Sequence, residues 1–213
     1  MGGLDKLFAP LGSVPLLAHS VMAFNESPFV HTIAIAASAY NLGDVQRLVR
    51  NLGLEKVGSV VEGGARRQDS VLNALREMNG SDIVLVHDGA RPFVDESIIE
   101  RAISTASKSA ASTAAVPVKD TIKVANPDMT VSDTPARDSL WAAQTPQAFA
   151  YELILEAHSL IDYDVTDDAA MIEAIGHPVH LFMGSYDNIK ITTPEDLHIA
   201  EAILLSRRRE QSD

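Results

Sequence analysis

From residue 14 to residue 118 the apolar residues switch repeatedly between a helical period and short strand-like runs, and this alternation constrains the fold more than any other feature. Helical spacing covers Val14 to Phe24, Asp44 to Leu52, Gln68 to Met78 and Glu96 to Ser107. Between these lie Val30 to Ser38, Val57 to Val61, Ile83 to Val86 and Thr113 to Val118, each compact, apolar and read as a strand. Strands separated by whole helices need crossover connections, so the pattern predicts an α/β protein with a doubly wound, mostly parallel sheet.

The alternation stops at Lys119. Residues 119–147 carry turn residues (Asn126, Pro127, Asp128) and no helical stripe, which predicts an extended arm leaving the sheet. Long irregular excursions usually serve function or association. Beyond the arm the spacing predicts a helix from Tyr151, another over Asp167 to Ile175, a strand over Val179 to Met183, a short Ile189 to Thr192 segment and a closing helix. Thr193, Pro194 and Asp196 form the start signal of that last helix. A length of 213 residues without a linker or repeat is read as a single domain spanning 1–213.

Charge then limits the partners. Seventeen Lys and Arg against 29 Asp and Glu give −12, the wrong sign for tracking a nucleic-acid backbone or an anionic membrane. No apolar run approaches the roughly 18 residues of a membrane span. The absence of Cys excludes disulfides and thiolate chemistry, and the N-terminus lacks a signal-peptide layout. The expectation is a cytoplasmic protein. Eight of its cations (Lys6, Arg66, Arg67, Arg91, Lys119, Lys123, Arg137 and Lys190) fall in loops or beside strands, where an acidic protein would gather charge to hold a phosphorylated substrate.

The segment His87-Asp88-Gly89-Ala90-Arg91-Pro92 follows directly on the strand Ile83 to Val86, where open α/β sheets place ligands. Asp88 there can hold a divalent cation or ribose hydroxyls and Gly89 permits close approach, the lesser alternative being that Asp88 and Arg91 merely pair to steady the loop. Gly63-Gly64-Ala65-Arg66-Arg67-Gln68-Asp69-Ser70 opens a helix after another strand. Its glycines free the backbone to meet a flat base, and a turn with a helix cap accounts for the same residues. Lys190, in Asp187-Asn188-Ile189-Lys190, could neutralise phosphate, and Arg137 and Thr121 in the arm suit phosphate recognition. Thr166-Asp167-Asp168 is read as a helix cap. No zinc pair, Gly-x-Ser-x-Gly elbow, Gly-x-Gly-x-x-Gly or Walker A loop is present.

Taken in order, Lys6, Gly63 to Ser70, His87 to Pro92, Val118 to Thr121, Arg137 to Trp141, Gln144 to Gln147, Asp187 to Lys190 and Thr193 to Asp196 resemble the 2-C-methyl-D-erythritol 4-phosphate cytidylyltransferase family. The resemblance implies a Rossmann-like nucleotidyltransferase fold whose arm clasps a second subunit in a homodimer. It implies transfer of CMP from CTP to the sugar-alcohol phosphate with magnesium, a ribitol 5-phosphate enzyme or a non-catalytic binding homologue being the alternatives. By matching position, Lys6, Arg137 and Lys190 would be catalytic. Gly2, Gly3, Gly64, Ala65, Ser70, Asp88 and Gly89 would hold the nucleotide, with Asp88 the metal ligand. Thr121, Arg137, Asp187 and Lys190 would hold the second substrate. The family's first strand and its Ala-Ala-Gly-x-Gly-x-Arg-Met-Gly loop would precede Lys6, where only Met1-Gly2 matches. The expectation is therefore that full activity needs residues upstream of Met1.

Overall fold

The computed structural model describes residues 6–210. A 3-10 turn at Lys6–Phe8 leads into a small antiparallel hairpin, β1 (Pro10–Leu11) with β2 (Val14–Pro15). Then come α1 (Leu16–Glu26), β3 (Ile33–Ala37), α2 (Leu42–Leu52), β4 (Val57–Glu62), α3 (Arg67–Leu75), β5 (Ile83–Val86), α4 (Glu96–Ser109) and β6 (Ala111–Pro117). An outlying hairpin, β7 (Val124–Ala125) with β8 (Val131–Asp133), precedes β9 (Trp141–Ala150), α5 (Tyr151–Leu160), α6 (Asp168–Ala174), β10 (His180–Met183) and α7 (Pro194–Glu210). The elements expected from periodicity all form within a few residues of their bounds except Ile189 to Thr192. That segment is irregular, and its buried Ile191 donates its N–H to the Ala90 carbonyl at 2.9 Å instead of joining a sheet.

The sheet is mixed, not mostly parallel. A four-stranded sheet runs β10-β6-β9-β5, and β3 pairs with β4 separately. The β6–β10 and β3–β4 pairs are parallel, whereas β9 runs antiparallel to both β5 and β6. β9 returns from the outlying hairpin with no crossover helix, so it enters the sheet from the opposite end. This also shortens the arm, because residues 144–149 are buried in the sheet. Only residues 118–140 stand outside it.

Helices cover both faces, since successive β-residues point to opposite sides. On one face Phe149 and Ala111 pack with Leu75 of α3, Ile154 of α5 and Met171 and Ile172 of α6. On the other, Ala148 and Ala114 meet Phe24 of α1, Ile98, Ile99 and Ala102 of α4, and Phe182 of β10. Alanines on the sheet let α4 approach closely. α1 joins the two sheets: Leu17 and Val21 pack over Ile33 and Ile35 of β3, while Phe24 packs with Ile83 and Leu85 of β5. Among the described residues, β3 and β5 each carry a strand partner on one edge only.

Three helix starts set the geometry that follows. Asp95 caps α4 by accepting the Ile98 N–H at 2.9 Å, and Asp167 caps α6 by accepting from Ala170 at 2.9 Å. At α7 the expected capping box forms. Asp196 accepts from the Thr192 and Thr193 N–H groups at 2.8 Å, which holds its carboxyl down at about 2, and its own N–H donates to Thr193 Oγ1.

Candidate functional site

β5 ends at Val86, and the next residues turn across the carboxyl end of the sheet. A chain of uncharged hydrogen bonds fixes this turn. The Asp88 N–H donates to Thr145 Oγ1 at 3.0 Å, and the Thr145 hydroxyl donates to His87 Nδ1 at 3.0 Å. His87 Nε2 donates to the Arg91 carbonyl at 3.1 Å, since a carbonyl can only accept. The ring lies 4.9 Å from Phe24. Burial pushes the imidazole down to about 4, so it is neutral at pH 7. From α1, the Ser20 hydroxyl reaches the Gly89 and Arg91 carbonyls at 3.0 and 3.1 Å.

Held this way, Asp88 points its carboxylate into a ring of cations. Lys190 Nζ lies 2.9 Å away, Arg67 Nε 3.5 Å and Arg91 Nε 3.6 Å. Burial pushes the carboxyl up, but the Lys190 hydrogen bond and charge, with Arg67 and Arg91, outweigh it and hold it below the usual carboxylate range. Arg91 itself is lowered by burial, though Asp88 offsets part of that.

Lys190 arrives from a loop that β9 positions. The β6–β9 register shifts between Thr113 and Ala115, so residues 144–146 bulge and turn their polar groups toward the 185–190 loop. Gln144 Nε2 donates to the Ser185 carbonyl at 2.8 Å, and Asn188 Nδ2 donates to the Thr145 carbonyl at 2.8 Å. Arg91 Nη1 donates to the Asn188 carbonyl at 2.7 Å. A Cβ on Gly184 would stand 2.4 Å from Gln144 Oε1, so a larger residue there would push the Gln144 side chain out of this arrangement.

The glycine-rich turn closes beside this cluster. A Cβ on Gly64 would lie 2.3 Å from that of Asp69, so only glycine lets the turn fold back on α3. The Gly64 N–H donates to Ser70 Oγ at 3.0 Å, and the Ser70 hydroxyl donates to the Arg66 carbonyl at 3.2 Å. Ser70 thus shapes the turn and keeps one lone pair for a ligand. Ala65 and Gly89 lie in the two turns.

Asp88, Lys190, Arg67 and Arg91 are brought together. Among the described residues, Lys6, Thr121, Arg137 and Asp187 make no hydrogen bond or ion pair with them. Lys6 is exposed in the first 3-10 turn. Thr121 is exposed in the arm, and Arg137 Nη1 donates to the Lys119 carbonyl there at 3.2 Å. Asp187 is exposed beside Lys190. Gly2 and Gly3, with the Met1-Gly2 remnant of the expected loop, lie outside the described residues. Asp168 departs from its expected role. Asp167 alone caps α6, while Asp168 is fully buried and takes Arg67 Nη1 at 2.7 Å. Thr145, Gln144 and Asn188, which hold the cluster in place, fall in segments that carry the family resemblance, but no local pattern marks their role. No group of three His, Asp or Glu able to hold a metal occurs among the described residues.

A strand-end carboxylate among three cations, with a glycine-rich turn beside it, defines a class: α/β enzymes that hold a phosphorylated ligand at the carboxyl ends of their strands. Comparison with known proteins gives the particular family. Residues 1–206 match the IspD family of 2-C-methyl-D-erythritol 4-phosphate cytidylyltransferases. The sequence is 47% identical over 212 residues to the 2-C-methyl-D-erythritol 4-phosphate cytidylyltransferase of Alkaliphilus oremlandii, covering 96% of this chain and 89% of that one. The structure is similar to 4-diphosphocytidyl-2C-methyl-D-erythritol synthase from Anaerococcus prevotii, with a TM-score of 0.86 at 29% identity over 96% and 92% of the two chains. It is also similar to the 2-C-methyl-D-erythritol 4-phosphate cytidylyltransferase of Thermus thermophilus, at TM-score 0.77 and 33% identity over 93% of each. The chain belongs to the 2-C-methyl-D-erythritol 4-phosphate cytidylyltransferase family.

Proposed function

We propose that this chain transfers CMP from CTP to 2-C-methyl-D-erythritol 4-phosphate and releases pyrophosphate. Within the family match, the observation that carries the reading is Asp88 among Arg67, Arg91 and Lys190 at the end of β5. A phosphate oxygen of the sugar alcohol would attack the α-phosphorus of CTP, forming one P–O bond while the bond to the β-phosphate bridging oxygen breaks. Such displacement needs positioning and neutralisation of charge more than a covalent nucleophile. Lys190 and Lys6 suit that role as point charges.

The turn at Gly64 and Ala65 would take the cytosine, with the spare lone pair of Ser70 accepting from its amino group, and Asp88 and Gly89 would meet the ribose or the metal. Magnesium fits here as an ion held by one carboxylate and completed by phosphate oxygens and water, the usual way Mg²⁺ is bound with nucleotides. Asp88 would hold it, and Lys190 would shift to the incoming phosphate. The ion would supply charge neutralisation on the triphosphate.

Arg137, Thr121 and Asp187 would complete the sugar-phosphate site across a homodimer. The arm supports this. Val124, Met129, Val131 and Trp141 are 41% to 82% exposed. The test is pyrophosphate release with CTP and methylerythritol phosphate or ribitol 5-phosphate. Turnover with the methylerythritol phosphate, preferred at least tenfold in kcat/KM, is expected. Preference for ribitol phosphate overturns the substrate assignment, and CTP binding without turnover on either overturns the transferase reading.

A further inference from the structure

Three consecutive side chains at the start of α3 hold one distant segment. Arg66 Nη1 donates to the Asp162 carbonyl at 2.8 Å and to Asp164 Oδ1 at 3.3 Å. Gln68 donates from Nε2 to the Tyr163 carbonyl at 3.1 Å and accepts the Val165 N–H at 3.3 Å. Arg67 Nη1 donates to Asp168 Oδ2 at 2.7 Å. These residues follow directly on the Gly63-Gly64 turn, so the segment ending at α6 sets where that turn sits.

The last contact differs in kind. The Asp164 side chain is 83% exposed, whereas that of Asp168 is 0% exposed. Its Oδ1 has no hydrogen-bond partner among the described residues, and burial holds its carboxyl above the ordinary value despite Arg67. A buried carboxylate half without partners is a poor stabilising device, and docking of the segment is already served by Arg66 and Gln68. What Asp168 alone does is fix a guanidinium. With Nη1 on Asp168 and Nε 3.5 Å from Asp88, Arg67 is held at two points, and its Nη2 makes no hydrogen bond among the described residues. The Arg67 side chain is 37% exposed, so a ligand can reach it.

We infer that Asp168 is a positioning residue of the nucleotide site, clamping Arg67 beside Asp88 so that the free Nη2 donor meets the phosphates of CTP. The inference rests on the cytidylyltransferase reading and adds Arg67 to the groups that touch the nucleotide. Without the clamp, the nearest remaining anion for Arg67 is Asp88. The guanidinium would close on that carboxylate and withdraw the donor.

The test compares the parent protein with Asp168→Asn, Arg67→Gln and the double variant, reading CTP Kd by calorimetry, KM for each substrate, and Tm. Asp168→Asn is expected to weaken CTP about tenfold or more, the scale of one charge-assisted hydrogen bond. KM for the sugar phosphate should stay within about twofold. The double variant should bind CTP no worse than Arg67→Gln alone, because Asp168 acts through Arg67. Additive losses overturn the clamp, as does an equal rise in both KM values that follows a fall in Tm. If Asp168→Asn does not fold, Arg67→Lys keeps a cation for Asp168 but removes the third nitrogen. Tenfold weaker CTP binding then supports the clamp, and unchanged binding overturns it. If the parent binds CTP yet transfers nothing, the Kd comparison still decides the clamp and only the transferase reading falls. A parent that binds no CTP overturns both.

Discussion

Replacing His87 by Asn should remove a large part of the acid sensitivity of this protein. His87 is part-buried, neutral and locked as one tautomer, its Nε2 donating to the Arg91 carbonyl and its Nδ1 accepting from Thr145. A proton added at Nδ1 turns an acceptor into a donor, so the Thr145 hydroxyl loses its partner just where it also receives the Asp88 N–H. With the folded imidazole at about 4 and the unfolded one at 6.5, the unfolded chain binds more protons between these values. Stability therefore rises with pH through that window and falls as pH drops from 6.5 towards 4. Integrating the linkage from pH 7 to pH 5 gives about 2 kcal/mol lost through this residue. Urea unfolding followed by circular dichroism at pH 5, 6 and 7, with chelator present to keep cations from Asp88, measures it. The Asn variant starts less stable, since the bond to Arg91 is gone, but its loss between pH 7 and pH 5 should be smaller than the parent's by about 2 kcal/mol. Equal losses in the two proteins would show that His87 is not held neutral, and the hydrogen-bond directions assigned around it would be wrong.

Arg137→Ala and Lys190→Ala should each raise KM for methylerythritol phosphate tenfold or more, the effect of a charge-assisted contact worth about 1.5 to 3 kcal/mol, while CTP affinity changes far less. Calorimetry separates the ligands, and equal losses would contradict the assignment. The parent should sediment as a dimer at micromolar concentration, and Val131→Asp, on an exposed arm strand, should shift it to monomer; a parent that is already a stable monomer refutes the arm interface. In hydrogen exchange, the amides of β6, which is paired on both edges, should exchange at least tenfold more slowly than those of β3, which among the described residues has a partner on one edge; the reverse order would contradict the strand pairing.

The helices and strands from α1 to β6 were legible because each buries one stripe or one run, and burial writes periodicity into a sequence; the two-residue strands β1 and β2 are too short to show a period, and Val14 was expected in a helix. β9 was not. Its Gln144, Thr145, Pro146 and Gln147 look like loop residues, yet all four are buried. Gln147 satisfies its amide by donating to Thr113 Oγ1 and Asp167 Oδ2 and accepting from the Asp168 and Ala169 N–H groups. A buried polar side chain with every bond made is as compatible with a core as a leucine, but nothing local in the sequence reveals the partners. Missing β9 as a strand is what made the sheet look parallel and the arm look longer.

The same reasoning explains which site residues could be foreseen. Charge was visible by position: of the eight cations expected outside helices, Arg91 and Lys190 converge on Asp88, as does Arg67, which opens α3 instead of lying in a loop because the Gly63-Gly64 turn folds straight into that helix. Others meet different needs. Arg66 pairs with Asp69, Lys119 lies over the Tyr186 ring and Lys123 donates to Thr134. The residues that select among these cations were not visible, because they act at second hand. Gln144 and Asn188 carry Lys190 in, Thr145 and His87 aim Asp88, and Asp168 holds Arg67. A cluster with three cations around one carboxylate has more positive charge than its own anion neutralises. In a chain of net charge −12 such an excess is sustained only where neutral hydrogen bonds and buried counter-charges hold the members, so that an anionic ligand asks for little more than the shift of Lys190.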